Sequence, residues 1–309
     1  MVFVATNSTG EVFIIKTSDR NVGTKNLMSR FNLGAFSGKK VALKANFNSA
    51  DPFPASTHLD TLKAIVETLK RSGASKITLG ERSGMGNTRK VLEQMGVFTL
   101  AEKLDFDAVA LDEMEKEAWL KIERSGTHWL RGFYIAKLFA TADRVVQTCC
   151  LKAHRFGGYF TLSLKNSVGL VAKRVPSSLY DYMWELHGSP YQRHMIAEIN
   201  KQYKPDLIIM DGIKAFTNGG PEKGKEVQPN LMLASSDRIA LDAVGVAVLR
   251  SYGATSNIMK GRIFELDQLR RASELEIGVK SASEIHVTPL NEDCIECANN
   301  VAGILEREG

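Results

Sequence analysis

Short apolar runs rich in β-branched residues alternate along the chain with stretches in which apolar residues return every three to four positions. The first pattern predicts buried strands and the second amphipathic helices. VALKANF (41–47) is followed by a polar loop and THLDTLKAIVETLKRSGA, where Leu59, Leu62, Ile65, Val66 and Leu69 share one helical face. Ser56 or Thr57 stands where an N-cap belongs, and Gly73 where the helix should stop. KITLGE (76–81) predicts the next strand, leading through a glycine-containing loop into the helix TRKVLEQMG. An acidic stretch, LDEMEKEAWLKIERSG, reads as a solvated connection or an edge hairpin, with a helix after it around residues 134–141. RVVQTCC (144–150), PDLIIMDG (205–212) and NLMLASSD read as buried strands, the second ending at Asp211 and Gly212. Asp237 is placed to cap RIALDAVGVAVLRSYG, whose apolar face carries Ile239, Ala243, Val246, Ala247 and Leu249. A helix near residues 263–275, the strand EIHVTPL and a short helix close the chain. This alternation predicts an α/β fold with mostly parallel sheets and crossover helices, in two lobes (1–143 and 144–309) around a cleft.

Composition adds limits to that picture. With 309 residues, 44% hydrophobic and 24% charged, the chain is globular and not disordered. A net charge of +5, from 40 basic and 35 acidic residues, is too thinly spread to argue for nucleic acid, but it suits an anionic small molecule. No apolar run approaches the roughly 18 residues needed to cross a bilayer, so no membrane partner is expected. The first twenty residues lack the features of a targeting segment, which makes the cytoplasm the expected location.

In open α/β sheets ligands bind beyond the carboxyl ends of strands, so polar residues following the predicted strands are the candidates for chemistry. Lys44 and Asn46 end the first strand and share one of its faces. GERSGMGNT (80–88) offers a strand-to-helix turn, either a plain turn or a cradle of backbone N–H groups for an anion. The densest stretch is LKAHRFGGYFTLSLKN (151–166). There Lys152, His154 and Arg155 follow a buried strand, and Gly157 and Gly158 permit close backbone approach. Thr161 opens a helix bearing Lys165 and Asn166. These groups suit one phosphate or carboxylate, and they include a histidine for proton transfer and lysines able to lose a proton when desolvated. Asp211 leaves an apolar strand, either as a turn residue or as a base, ion-pair partner or cation ligand. Asp242 lies among apolar residues of its helix and calls for a partner.

The four cysteines form an adjacent pair, Cys149 and Cys150, and a C-x-x-C, Cys294 and Cys297. Cys149 and Cys150 would face opposite sides of a strand, which disfavours a site made by all four. Cys294 and Cys297 have the spacing of a metal or redox pair, in the first turn of a helix capped by Asp293, where the helix dipole would lower their pKa.

VALKANF, SKITLGE with its glycine loop, LKAHRFGGYFTLSLKNSVGL, PDLIIMDGIKAF with GGP, and LMLASSDRIALDAVG occur here in an order and spacing that resemble the family catalogued as domain of unknown function 362, from about Val41 to Leu290. The resemblance implies a shared site at Lys44, Asn46, Lys152, His154, Thr161, Lys165, Asn166, Asp211, Asp237 and Asp242. Many members carry a ferredoxin-like run of cysteines, which implies an iron–sulfur cluster as a cofactor. This chain lacks that run and keeps only Cys294 and Cys297.

Three functions remain open on the sequence. The leading one is an enzyme acting on an anionic small molecule, with His154 as acid/base, Asp211 as its charge partner or a metal ligand, and Lys152, Lys165 and the glycine loop on the anion. The others are a redox protein holding an iron–sulfur cluster or divalent metal, and a binding protein without chemistry.

Overall fold

The order of apolar and polar positions becomes ten strands of one sheet, a separate hairpin, and helices on both sheet faces. The structure, a computed structural model, describes residues 10–156 and 159–309. The strands are β1 (Glu11–Lys16), β2 (Lys40–Lys44), β3 (Lys76–Glu81), β4 (Asp107–Ala110), β5 (Trp119–Ile122), β6 (Phe133–Ala136), β7 (Arg144–His154), β8 (Tyr159–Thr161), β9 (Leu207–Gly219), β10 (Gly224–Val227), β11 (Leu231–Ser235) and β12 (His286–Pro289). The main helices are α1 (Arg20–Met28), α2 (Leu59–Arg71), α3 (Thr88–Gln94), α4 (Val97–Leu104), α5 (Lys137–Ala140), α6 (Ser163–Asn166), α7 (Tyr182–Gly188), α8 (Gln192–Ile199), α9 (Arg238–Ser251), α10 (Ser256–Met259), α11 (Asp267–Glu274) and α12 (Ile295–Glu308).

The sheet runs β12-β1-β11-β9-β7-β2-β3-β4, with β10 beside β9 and β8 beside β7. From β9 to β4 every neighbour is parallel, whereas β11 pairs antiparallel with both β9 and β1. The predicted α/β class with a mostly parallel central sheet is therefore what forms. Residue 144 opens β7, which pairs with β2 of the first half and β9 of the second.

Alternation along the strands divides the core. Val41 and Leu43 of β2, Val146 of β7 and Leu207 and Ile209 of β9 pack with Leu62, Ile65, Val66 and Leu69 of α2. Cys149, Leu151, Ala153, Ile208 and Met210 face the other way, toward α9 and α12. A third cluster, including Ala42 and Val145, lies on that second face with Trp129, Phe133 and α7 and α8.

Several local expectations change. His58, not Ser56 or Thr57, caps α2, accepting from the Asp60 amide at 3.1 Å. The Thr57 hydroxyl instead takes the Asn46 amide, and Ser56 donates to the Ser49 carbonyl. The acidic stretch supplies β5, which pairs with β6 beyond it, and the helix expected at 134–141 shrinks to α5 because β6 occupies its first residues. PDLIIMDG does not end at Asp211: β9 continues to Gly219, so Asp211 is a mid-strand residue.

Candidate functional site

The chain leaves β2 through α2 toward β3 and β4, and later returns to the opposite side of β2 as β7. Such a reversal of strand order opens a crevice at the carboxyl ends of the two strands. Here it is enlarged, because β2 stops at Lys44 while β7 runs on to His154. A cavity of about 550 Å³ occupies this place. Of the sequence candidates, Lys44, Asn46, Lys152, His154, Thr161, Lys165 and Asn166 line it. Gly157 and Gly158 lie outside the described residues.

Lys44 is fully engaged. Its ammonium donates to both carboxylate oxygens of Glu81, at 2.7 and 2.8 Å, to Asn166 Oδ1 at 3.0 Å and to the Ala45 carbonyl. Glu81 also accepts from the backbone amides of Phe47 and Arg82, at 2.9 and 3.0 Å. Burial pushes the Lys44 pKa down and Glu81 opposes the shift. Gly169 makes the pair possible: a Cβ there would lie 2.6 Å from Glu81 Oε1 and 3.0 Å from Lys44 Nζ. Asn166 donates its amide to the Thr148 carbonyl at 2.9 Å, on β7 beyond the point where β2 has ended.

Lys152 is equally buried but has no carboxylate within ion-pairing distance among the described residues. Its ammonium donates to the Ala55 carbonyl, and burial pushes its pKa down. Lys165 Nζ lies 3.0 Å from His154 Nε2, also without a carboxylate partner among the described residues. Burial, and then the charges of Lys152 and Arg82, lower the Lys165 pKa to about 7. Burial and the neighbouring Lys165 lower His154 to about 2, so its imidazole is neutral at ordinary pH. Nδ1 faces both the carbonyl and the N–H of Phe156, and in the tautomer that donates to the carbonyl Nε2 accepts from the Lys165 ammonium.

Asp242 positions this pair. Its carboxylate accepts from the Ser163 amide and hydroxyl, at 2.8 and 2.5 Å, and from the Leu164 amide at 3.0 Å. It thereby satisfies the otherwise open N-terminal turn of α6, the single turn that carries Lys165 and Asn166. Burial raises its pKa to about 7 against the pull of these hydrogen bonds. Thr161, expected to open this helix, ends β8 instead, and its hydroxyl has no partner among the described residues.

Among the candidates, Asp211, Arg155 and Asp237 do not line the cavity. Asp211 cannot serve His154. In β9 it shares the face of Leu207 and Ile209, where Arg20 Nε donates to it at 2.8 Å and the Thr61 hydroxyl at 2.7 Å. Arg155 turns from the cavity to Glu222 and the Gly220 carbonyl. Asp237 caps α9 as expected, accepting from Ile239 and Ala240 at 2.8 and 2.9 Å, but lies away from the cavity rather than in the shared site. The 80–88 turn is not an open anion cradle: Ser83, Gly84 and Met85 donate their amides to Thr88 Oγ1, Asn48 Oδ1 and the Asn48 carbonyl.

The cysteines do not make a cluster site. Cys149 packs into the core on one face of β7, while Cys150 accepts from the Asn46 amide at 3.6 Å on the other. Cys294 is buried, and burial raises its pKa to about 12 and moves Cys297 the same way, overriding the expected helix-dipole effect. Asp293 does not cap the helix, which has no side-chain cap. Among the described residues no group of three or more His, Cys, Asp or Glu stands in a metal-binding arrangement.

Sequence reasoning missed Glu81, Arg82, Lys173, Trp184 and His187, all lining the cavity. Arg82 donates to the Ser83 and Val171 carbonyls, tying the β3 loop to the segment after α6. The cavity residues all lie between Lys44 and Pro221. A family model described as "Domain of unknown function (DUF362)" matches residues 41–247, well over half the chain. The chain belongs to the DUF362 family. Its DUF362 region thus contains every residue lining the cavity. Over 223 residues the chain is 29% identical to a thylakoid-associated protein of Synechocystis sp., covering 71% of this chain and 65% of that relative. The chain therefore spans just under two thirds of the relative's length. It is also similar to the lactate racemase apoprotein of Thermoanaerobacterium thermosaccharolyticum, with a TM-score of 0.45 and 16% identity over 79% of this chain and 59% of that one. No helix of the described residues is long and apolar enough to cross a membrane.

Proposed function

We propose that this DUF362 protein is an enzyme that takes a small carboxylate or phosphate into the cavity and moves a proton on it. The observation that carries this reading is the pair Lys152 and Lys165, two desolvated lysines in one cavity without a carboxylate partner among the described residues. An uncompensated buried ammonium is costly, and an anionic ligand supplies the missing counter-charge. Lys152 spends one N–H on the Ala55 carbonyl and has others for the anion. Lys165 is the proton-transferring group, since a pKa of about 7 populates both its amine and its ammonium near neutral pH. His154, neutral and held by Phe156, accepts from Lys165 and fixes its direction. The acid/base role expected of the histidine thus passes to the lysine.

Thermal unfolding of the wild type and of Lys152→Met, Lys165→Ala and His154→Ala, each with phosphate and a panel of short carboxylates, tests this. The wild type should be stabilised by at least one anion, Lys152→Met should lose that response, and the other two should retain part of it. Equal shifts in all four proteins would refute the reading.

A further inference from the structure

The cavity has more room than a bare anion fills, and beside its polar groups, which include the exposed Lys173 and His187, it carries a run of apolar ones. The deep groups are polar: Lys152 is fully buried and His154 only 9% exposed. Met183 and Pro221 are buried apolar lining residues, and Val168 is partly exposed. At the mouth stand three large apolar side chains in water, Met85 at 43%, Phe156 at 51% and Trp184 at 81% exposure. They come from three different segments, the loop after β3, the turn after β7 and helix α7, yet border one opening. Scattered single apolar residues on a surface need no explanation, but three converging on a cavity mouth do. A volume of about 550 Å³ is in the range of pockets that enclose ligands with an extended apolar body.

We infer that the ligand is an amphiphilic anion, whose charged head lies at Lys152 and Lys165 and whose alkyl or aryl body runs along Val168, Met183 and Pro221 to the rim of Met85, Phe156 and Trp184. This rests on the anion-site reading above and adds the chemical class of the substrate. The head replaces the counter-charge the lysines lack. The body removes the apolar rim from water, a gain that grows with its buried area.

The test is a matched series of straight-chain carboxylates from acetate to decanoate, kept below micelle-forming concentrations. It is followed by calorimetry and by tryptophan emission, with 1-octanol as the uncharged control. Trp119 and Trp129 are buried, at 5% and 1% exposure, so a change in solvent exposure on binding reports mainly on Trp184. Affinity should rise with chain length by up to about fourfold for each methylene buried. Emission should shift to the blue with octanoate and not with acetate, and octanol should bind at least tenfold more weakly than octanoate. Trp184→Ala and Phe156→Ser should flatten the dependence on length, and Lys152→Met should weaken octanoate. Equal affinity along the series, with acetate bound at Lys152, overturns the amphiphile inference alone. Binding of no carboxylate overturns this inference, and if phosphate does not bind either, or octanol binds as well as octanoate, the anion site falls with it.

Discussion

Two buried lysines at the ends of neighbouring strands have opposite fates. Lys44, at the end of β2, donates hydrogen bonds to Glu81, Asn166 and the Ala45 carbonyl. Lys152, near the end of β7, has one carbonyl and no carboxylate among the described residues. Both side chains are desolvated and both line the same cavity. The difference is in the counter-charge: where the protein supplies its own, the lysine is scaffolding, and where it does not, the ligand is called on to supply it. Residue type and burial are the same in the two cases, so the ion-pair inventory is what separates structure from binding.

The sharpest way to break the comparison is to remove one side of the satisfied pair. Glu81→Gln should cost about 3–5 kcal/mol in denaturant unfolding, because it strands a buried ammonium. Lys152→Met should hold or gain stability in the absence of anion, since it removes an uncompensated charge. If both variants lose stability equally, Lys152 has a partner of its own and the contrast fails.

A smaller effect is expected at Gly169, where a methyl group would push on Glu81 Oε1 and Lys44 Nζ. Gly169→Ala should lose about 1–3 kcal/mol, the usual cost of overpacking, and a neutral outcome by chemical denaturation would show that the pair can shift aside.

The last effect is in pH dependence, spread over several pH units. The folded pKa of Lys165 is about 7 against an ordinary 10.5, so between these values the unfolded chain binds more protons. Its contribution therefore makes stability rise with pH across that window, the penalty being complete below about 7. Anion binding to the ammonium should act in the other direction, with affinity falling by up to about tenfold per pH unit above 7. In Lys165→Met both slopes should shrink, and an unchanged affinity profile by calorimetry would remove Lys165 from the anion's contacts.

The parts of this arrangement legible in the sequence follow from local rules. Apolar runs marked the parallel strands, and the cluster at 151–166 placed Lys152, His154, Lys165 and Asn166 together as observed. Asp242 stood out as a carboxylate among apolar residues, but its partners Ser163 and Leu164 are 79 and 78 residues away, and only folding brings them together. Asp211 misled because GIKAFTNG does not look like a continuation of LIIM, yet β9 runs through it. Once the strand continues, alternation alone turns Asp211 toward Arg20 and Thr61. Glu81 was within reach of the rule that found Lys44, a charged residue closing an apolar strand.

The early end of β2 has a consequence beyond opening space. Lys44 leaves its strand on the face of Ala42, while Lys152 leaves β7 opposite Cys149, Leu151 and Ala153, so the two lysines start from opposite sides of the sheet. They line one chamber because the backbone ladder between them is interrupted. Asn166 binds the Thr148 carbonyl in the gap where the next residues of β2 would lie. The site is thus written partly in strand length: carrying β2 two residues further would seal the chamber while leaving every one of its side chains in the sequence.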